Sequence, residues 1–178
     1  MKRVILVGFM GCGKSSLGKK LANRLDISFL DSDEQIEKIS QKSIGEIFGT
    51  LGESRFRKIE KDYILSLDPN NEFVLATGGG LPCYEKNMHR LNELGVTFYL
   101  ERSPKELVHR LLHAKTKRPL IDGLSNGELL SYIEDKLSER EEYYRQATFV
   151  LSREEQTVAS IEKFMHLLDP DSSPLQKN

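Results

Sequence analysis

Short apolar runs alternate with longer amphipathic stretches along most of the chain. The runs are rich in aliphatic, β-branched and aromatic residues and predict five strands: Val4–Val7, Ile27–Leu30, Phe73–Ala76, Val96–Leu100 and Phe149–Leu151. Apolar residues at helical spacing predict a first helix around Leu17, Leu21 and Leu25, and further helices within 43–67, 85–94, 104–113 and 127–145. Strands that alternate with helices predict an α/β fold, in which helices cover both faces of a parallel sheet.

Three segments depart from this alternation. The helical section between the second and third strands is longer than a crossover requires, so we expect part of it, about 34–62, to form a helical lobe. Residues 113–125 are rich in Lys, Arg, Pro and Gly and predict an exposed loop. The segment 169–178 holds two prolines and two serines and predicts a disordered tail. We therefore expect one domain over residues 1–168.

Composition excludes several classes of protein. The 178 residues carry 26 basic and 27 acidic side chains, and a net charge of −1 gives no general attraction to nucleic acid or to anionic membranes. No run approaches the roughly 18 apolar residues that a membrane span needs. A basic pair, an apolar run and Cys12 faintly resemble a lipoprotein signal, but Gly8 and Lys14 interrupt the apolar stretch. The chain has two cysteines, Cys12 and Cys83, which cannot form a dense disulfide framework. We therefore expect a reducing, cytoplasmic compartment.

The segment Gly8–Ser15, GFMGCGKS, fits the pattern GxxxxGK(S/T) between the first strand and the first helix. Glycines let successive N–H groups face a triphosphate, and the helix N-terminus adds a positive dipole end. Lys14 would reach the β- and γ-phosphates, and Ser15 would bind Mg²⁺. The expected ATP-binding residues here are Gly11, Cys12, Gly13, Lys14, Ser15 and Ser16. The alternatives are a plain glycine-rich turn and, for Cys12, a small filler side chain or a redox control.

Two carboxylates, Asp31 and Asp33, follow the second predicted strand. Ligands gather at the carboxyl ends of parallel strands, so both side chains could face the phosphate site. One would serve Mg²⁺, and the other would orient an acceptor hydroxyl and take its proton. The competing interpretation is that Asp31 or Ser32 only caps the helix that begins near Glu34. Position along the chain does not decide between the two.

A triple glycine, Thr77–Gly80, follows the third predicted strand, and its backbone could approach a ligand closely or form a plain turn. Core building does not explain Arg57, Arg118 and Arg140. Arg118 lies in the basic loop, from which a lid could bring its guanidinium onto a transferring phosphate. The other two lie on predicted helices, where a lone arginine is most often a solvated charge.

The motifs, taken together and in order, resemble the shikimate kinase family from Met1 to about Leu168. They are GFMGCGKS at 8–15, DSD at 31–33, ESRFRKIE at 53–60, TGGG at 77–80, RPL at 118–120 and REEYYRQA at 140–147. The resemblance implies a three-layer sandwich like that of P-loop nucleoside monophosphate kinases, with a five-stranded parallel sheet, a helical substrate-binding lobe and a lid at about 113–125. It also implies ATP-dependent phosphorylation of the 3-hydroxyl of shikimate to shikimate 3-phosphate, a step towards chorismate and aromatic amino acids.

Roles follow from the resemblance position by position. Arg57 and Arg140 would clamp the shikimate carboxylate by planar bidentate pairing. Asp33 would hold the shikimate hydroxyls and act as the base. The remaining implied contacts are backbone groups of Gly78, Gly79 and Gly80 for shikimate, Ser15 and Asp31 for Mg²⁺, Lys14 and Arg118 for the phosphates, and Arg110 for adenine. The partners implied are shikimate and ATP, with no nucleic acid or membrane, and a monomer is expected.

The sequence departs from the family pattern after the fifth strand, where the segment 152–155 is acidic. Relatives often place a basic or proline-bearing loop against adenine there, and Arg153 is the candidate for that contact. His109 and His113 are four residues apart, a zinc-compatible spacing, but no third ligand is nearby and surface positions are the simpler interpretation.

Two rival functions share the phosphate loop. A kinase that resembles gluconate kinase would need no carboxylate clamp, and the RFR and REEYYR segments favour shikimate over it. A nucleotide-dependent switch would place an aspartate after the third strand and would lack an acceptor pocket. The triple glycine at that point and the paired arginines favour an enzyme.

Overall fold

The computed structural model describes residues 2–114, 121 and 123–168. The strands are β1 (Arg3–Val7), β2 (Ser28–Asp31), β3 (Phe73–Ala76), β4 (Val96–Leu100) and β5 (Phe149–Leu151). The helices are α1 (Lys14–Leu25), α2 (Ser32–Ser40), α3 (Ile44–Ser66), α4 (Asn87–Leu94), α5 (Pro104–Leu112), α6 (Asn126–Tyr144) and α7 (Val158–Leu167). Short 3₁₀ turns span Leu81–Cys83 and Arg153–Glu155.

The five strands form one parallel sheet in the order β2-β3-β1-β4-β5. The connection after β1 leads towards the β2 edge, whereas the connection after the neighbouring strand β3 leads towards β4 and the β5 edge, so the winding direction reverses between β1 and β3. Ligand crevices in such sheets form beyond the carboxyl ends of the strands at this reversal. The topology therefore places the segment after β1 and the segment after β3 side by side, and confirms the predicted α/β class.

The core lies on both sides of the central strands. Every residue of β3 and the last four of β1 are buried, as are the last four of β4. A central parallel strand meets helices on both faces, which is why these strands read as continuous apolar runs. The edge strands β2 and β5 are more exposed.

Three helices begin with a reciprocal capping box. In α3, α5 and α6 a serine side chain accepts the N–H of a glutamate three residues on, whose carboxylate accepts the serine N–H; the pairs are Ser43 and Glu46, Ser103 and Glu106, and Ser125 and Glu128. Each box satisfies N–H groups that the helix itself leaves without partners. These caps fix where the helices that flank the site begin.

The long helical section between β2 and β3 is interrupted twice. Gln41 adopts a left-handed φ of 51° at the end of α2, and Gly52 inside α3 has φ 75° and ψ 169°. The second break uses backbone torsions that residues with a Cβ rarely adopt. Apolar spacing had predicted helix on both sides of these points without locating the interruptions.

Two of the predicted segments fall largely or wholly outside the residues that the structure describes. Most of the predicted lid, 115–120 and 122, and the predicted tail, 169–178, lie outside the described residues. The helix α7 follows β5 and buries Ile161, although the sequence analysis did not predict it. None of the helices in the described ranges is both long enough and apolar enough to span a membrane.

Candidate active site

In the loop between β1 and α1, the side chain of Lys14 folds back and is hydrogen-bonded to the backbone of the same loop. Gly11 and Gly13 have φ values of 82° and 115°, which a residue with a Cβ rarely adopts, and Gly13 caps α1. The Lys14 Nζ donates to the carbonyl oxygens of Gly8 at 2.7 Å and Phe9 at 2.9 Å. A buried cation is thereby fixed at the N-terminus of α1, where backbone N–H groups and the helix dipole also favour an anion.

Asp31 has two roles at the start of α2. Its Oδ1 accepts the N–H of Asp33 at 3.1 Å and caps the helix, while its Oδ2 accepts the hydroxyl of Ser15 at 2.7 Å. The sequence left two alternatives for Asp31, a helix cap or a side chain that faces the phosphate loop. The structure shows that Asp31 does both. The hydroxyl of Ser15 and the carboxylate of Asp31 are hard oxygen donors on one wall of the cavity, and such donors fit Mg²⁺.

The first glycine after β3 brings two carboxylates together. The Gly78 N–H donates to the buried Ser32 hydroxyl at 2.7 Å, which ties the end of β3 to α2. A Cβ built at Gly78 would lie 2.5 Å from Asp33 Oδ1 and 3.2 Å from Glu60 Oε1. Both carboxylates thus face this glycine, and their approach depends on the absence of a side chain there.

An arginine on α3 links the acidic groups. Arg57 Nη1 donates to Glu60 Oε2 at 2.7 Å, and Arg57 Nη2 donates to Glu53 Oε1 at 3.0 Å. Burial opposes the charge of Arg57, but the two carboxylates hold its pKa above the ordinary value. Burial raises the pKa of Glu60 to about 7 and Asp33 adds to the rise, whereas Arg57 opposes it.

Two cavities meet at the triple glycine. The phosphate cavity, of 590 Å³, is lined by the loop residues Gly11 to Ser16 except Cys12, and by Asp31, Asp33, Gly78 and Gly79. The acceptor cavity, of 550 Å³, is lined by Arg57, Gly80, Cys83 and Tyr84 on one side and by Lys136, Arg140 and Tyr143 of α6 on the other. The structure therefore brings together Arg57 and Arg140, which are far apart in the sequence.

The helix α6 anchors the glycine segment from the other side. Tyr144 Oη donates to the Gly79 carbonyl at 2.5 Å, and burial raises the pKa of Tyr144 well above its ordinary value. The guanidinium of Arg140 lies over the Phe9 ring, 5.5 Å from its centroid. Packing against Phe9 directs Arg140 towards the segment after β1, and Gly79 is held between α6 and the phosphate loop.

The outer end of the phosphate cavity is formed by α5. Arg110 is exposed and its Nε donates to the Gly11 carbonyl at 2.6 Å. His109 and His113 line the same end, with ring centroids 4.5 Å apart. Within the described ranges, no three His, Cys, Asp or Glu side chains are grouped as a metal site would require.

Three other residues expected to bind ATP differ in where the structure places them. Cys12 is buried, with its Sγ 3.6 Å from Lys14 Nζ, which agrees with a filler side chain. Arg153 pairs with Glu106 at 3.3 Å and lines a separate cavity, so the structure does not bring it into the phosphate cavity and its ATP contact stays a prediction. Arg118 lies outside the described residues.

Sequence reasoning missed Glu60 and Tyr144 as parts of the site. Glu60 lies three residues after Arg57, so the helical spacing of an acid and a base was available as a signal. Its burial was not, because burial depends on the packing of α3 against the segment after β3. Tyr144 carries no sequence signal that separates it from an ordinary core aromatic residue.

Comparison with known proteins shows the family to which the chain belongs. The family model described as shikimate kinase matches residues 10–169. The shikimate kinase of Bacteroides fragilis is 39% identical over 174 residues, which cover 95% of this chain and 97% of that protein. The crystal structure of shikimate kinase from Bacteroides thetaiotaomicron has a TM-score of 0.87 and 35% identity, and covers 94% of this chain and 98% of its own. Shikimate kinase from Acinetobacter baumannii, solved in complex with shikimate, has a TM-score of 0.80 and 32% identity over 94% and 92% of the two chains. The chain belongs to the shikimate kinase family.

Proposed function

We propose that this protein transfers the γ-phosphoryl group of ATP to the 3-hydroxyl of shikimate and forms ADP and shikimate 3-phosphate. The observation that carries the proposal is the convergence of Arg57 and Arg140 on one cavity that adjoins the phosphate loop. Two guanidinium groups at that place suit an alcohol that also carries a carboxylate. The relative from Acinetobacter baumannii binds shikimate, which is such an alcohol. The product leads to chorismate and the aromatic amino acids.

The nucleotide would lie along the phosphate cavity. Backbone N–H groups of the loop and the Lys14 ammonium, which line this cavity, would contact the β- and γ-phosphates. Ser15 and Asp31 would hold Mg²⁺, which neutralises phosphate charge during transfer. Arg110 would pack on the adenine, and Arg118 would close over the γ-phosphate, as the resemblance to the family implies.

The acceptor would enter from the adjoining cavity. Arg57 and Arg140 bind its carboxylate and fix its orientation, and the N–H groups of Gly79 and Gly80 supply further donors. Asp33 then faces the reacting hydroxyl, orients it and accepts its proton as the oxygen attacks phosphorus. Positioning and charge stabilisation supply most of the rate, because phosphoryl transfer requires little covalent chemistry from the protein.

The setting of the reaction is also proposed. The thiols of Cys12 and Cys83 are free, which supports a reducing, cytoplasmic compartment. We also propose that the protein acts as a monomer, as the resemblance to the family implies.

The test separates acceptor binding from nucleotide binding. Arg57→Ala and Arg140→Ala are titrated with ATP and with shikimate, and shikimate is compared with its methyl ester. Removal of one partner of a charged hydrogen bond costs about 2 to 5 kcal/mol, so affinity for shikimate should fall roughly 30- to several-thousand-fold while ATP affinity changes little.

The control is Lys136→Ala. Lys136 lines the acceptor cavity, but its charge is paired with Glu139 at 2.7 Å, so its loss should weaken shikimate binding far less. The wild-type protein should also reject the ester. Equal wild-type affinity for acid and ester would mean that no carboxylate clamp exists and would assign the kinase to a different alcohol.

A further inference from the structure

Glu60 is a buried carboxylate that the proposed reaction does not use. Its side chain is 1% exposed and is paired with Arg57 of its own helix. Among the described residues, the other charged or titratable groups that act on it are Asp33 of α2, Arg140 of α6 and the thiol of Cys83 in the 3₁₀ turn after β3. Glu60 is thus cut off from water and depends on guanidinium groups to carry a negative charge.

Arg57 already serves two carboxylates before any acceptor binds. One side of its guanidinium contacts Glu60 and the other contacts Glu53, whose side chain is 67% exposed. If the carboxylate of the acceptor also bound Arg57, this single guanidinium would contact three carboxylates, the other two being Glu53 and Glu60. Glu53 can turn out into water, but Glu60 cannot, so the repulsion that the acceptor brings falls mainly on Glu60.

We propose that Glu60, the buried partner of Arg57, takes up one proton from the solvent when the anionic acceptor binds. The inference rests on the proposed function, because it requires an acceptor whose carboxylate pairs with Arg57. The proton comes from water or from the buffer acid, and the carboxylate becomes a neutral carboxyl without any other bond forming or breaking. The carbonyl oxygen of that carboxyl still accepts a hydrogen bond from Arg57, so the guanidinium stays in place.

The acid–base balance of the free protein supports this coupling. Burial raises the pKa of Glu60 to about 7, with Arg57 opposing the rise. The negative charge of a bound acceptor would raise the pKa of Glu60 further, so proton uptake occurs where the free carboxyl is ionised, above that value. Well below it, Glu60 is already neutral and uptake disappears. Acceptor affinity should therefore fall as the pH rises, by up to about tenfold per pH unit above the free pKa.

The experiment is calorimetric titration of the full chain with shikimate, about one pH unit above the free pKa of Glu60. It is run in two buffers that differ in ionisation enthalpy. The wild-type binding enthalpy should differ between the buffers and correspond to uptake of up to about one proton per shikimate. In Glu60→Gln binding should persist without buffer dependence. Glu53→Gln is the matched control: it also removes a carboxylate partner of Arg57, and it should retain the proton uptake.

The outcomes distinguish two failures. Absence of shikimate binding by the wild-type protein would overturn the proposed function. Wild-type binding with the same enthalpy in both buffers would overturn the proton uptake while leaving the function intact, and this result needs no variant. A fall of shikimate affinity with pH in Glu60→Gln as steep as in wild type would also overturn the assignment to Glu60.

Discussion

Replacement of Gly80 by alanine tests the position of Arg57 by steric means alone. Gly80 has φ −90° and ψ −16°, torsions that alanine adopts without strain. A Cβ built there would lie 2.5 Å from Nη2, 2.6 Å from Nη1 and 2.7 Å from Cζ of Arg57. The substitution therefore forces the guanidinium to move and leaves the backbone able to keep its course.

The size of the effect follows from these distances. Carbon and nitrogen need about 3.5 Å, so the guanidinium must move by about 1 Å. It is tethered to Glu60 at 2.7 Å, and a shift of that size spoils the alignment with Glu60 and with a bound carboxylate. A hydrogen bond to a charged group contributes about 1.5 to 3 kcal/mol, so loss of one such bond to the acceptor raises its dissociation constant roughly 10- to 150-fold.

The assay is steady-state kinetics with shikimate and ATP varied separately, with urea unfolding as the test of fold. Gly80→Ala should raise the KM for shikimate and leave that for ATP nearly unchanged. Gly78→Ala makes the same chemical change two residues earlier, but its Cβ would meet Asp33 at 2.5 Å, so it should mainly lower kcat, by about 10²-fold or more. An unchanged shikimate KM in folded Gly80→Ala would refute the reasoning.

Two further predictions concern stability, measured by urea unfolding. Gly18→Ala should destabilise by about 1 to 3 kcal/mol, since its Cβ would lie 2.6 Å from the Phe29 ring and 3.3 Å from Leu6. In the control Gly49→Ala, the new Cβ would have no atom within 4 Å, so the protein should be stabilised by about 0.5 to 1 kcal/mol. Equal stability of the two variants would show that the close packing of α1 on β2 does not constrain Gly18. Tyr63→Phe removes a buried hydroxyl that has no hydrogen-bond partner among the described residues, so stability should rise by about 1 kcal/mol, and a fall would show that the hydroxyl has a partner.

The sheet and the phosphate loop could be predicted because their signals are local. Central parallel strands are buried on both faces, so β1, β3 and β4 appear as uninterrupted apolar runs. The phosphate-loop pattern is carried by eight consecutive residues, Gly8–Ser15. The edge strand β2 begins and ends one residue later than predicted, as expected where burial on one face only weakens the boundary signal.

The breaks in the helical section and the last helix were not obtained from the pattern. A glycine within apolar spacing is compatible with continued helix, and only the backbone torsions of Gly52 show that α3 is broken there. In α7 the signal was available, since Thr157 caps a segment in which Ile161 and Phe164 lie three residues apart. Helix length does not account for the difference, since α4 and α5 are shorter than α7 and were predicted.

The acidic side of the acceptor site could not be predicted, because it arises from three distant segments. The resemblance to relatives assigned Arg57 and Asp33 one at a time, and each has a separate local motif. Their connection runs through Glu60, which contacts Arg57, and through Gly78, where the missing Cβ lets both Asp33 and Glu60 approach. One glycine after β3 thus sets the distance between the proposed base and a carboxylate that balances the charge of the clamp. Acceptor binding and proton removal are therefore electrostatically linked, because the charge of Asp33 adds to the rise in the pKa of Glu60.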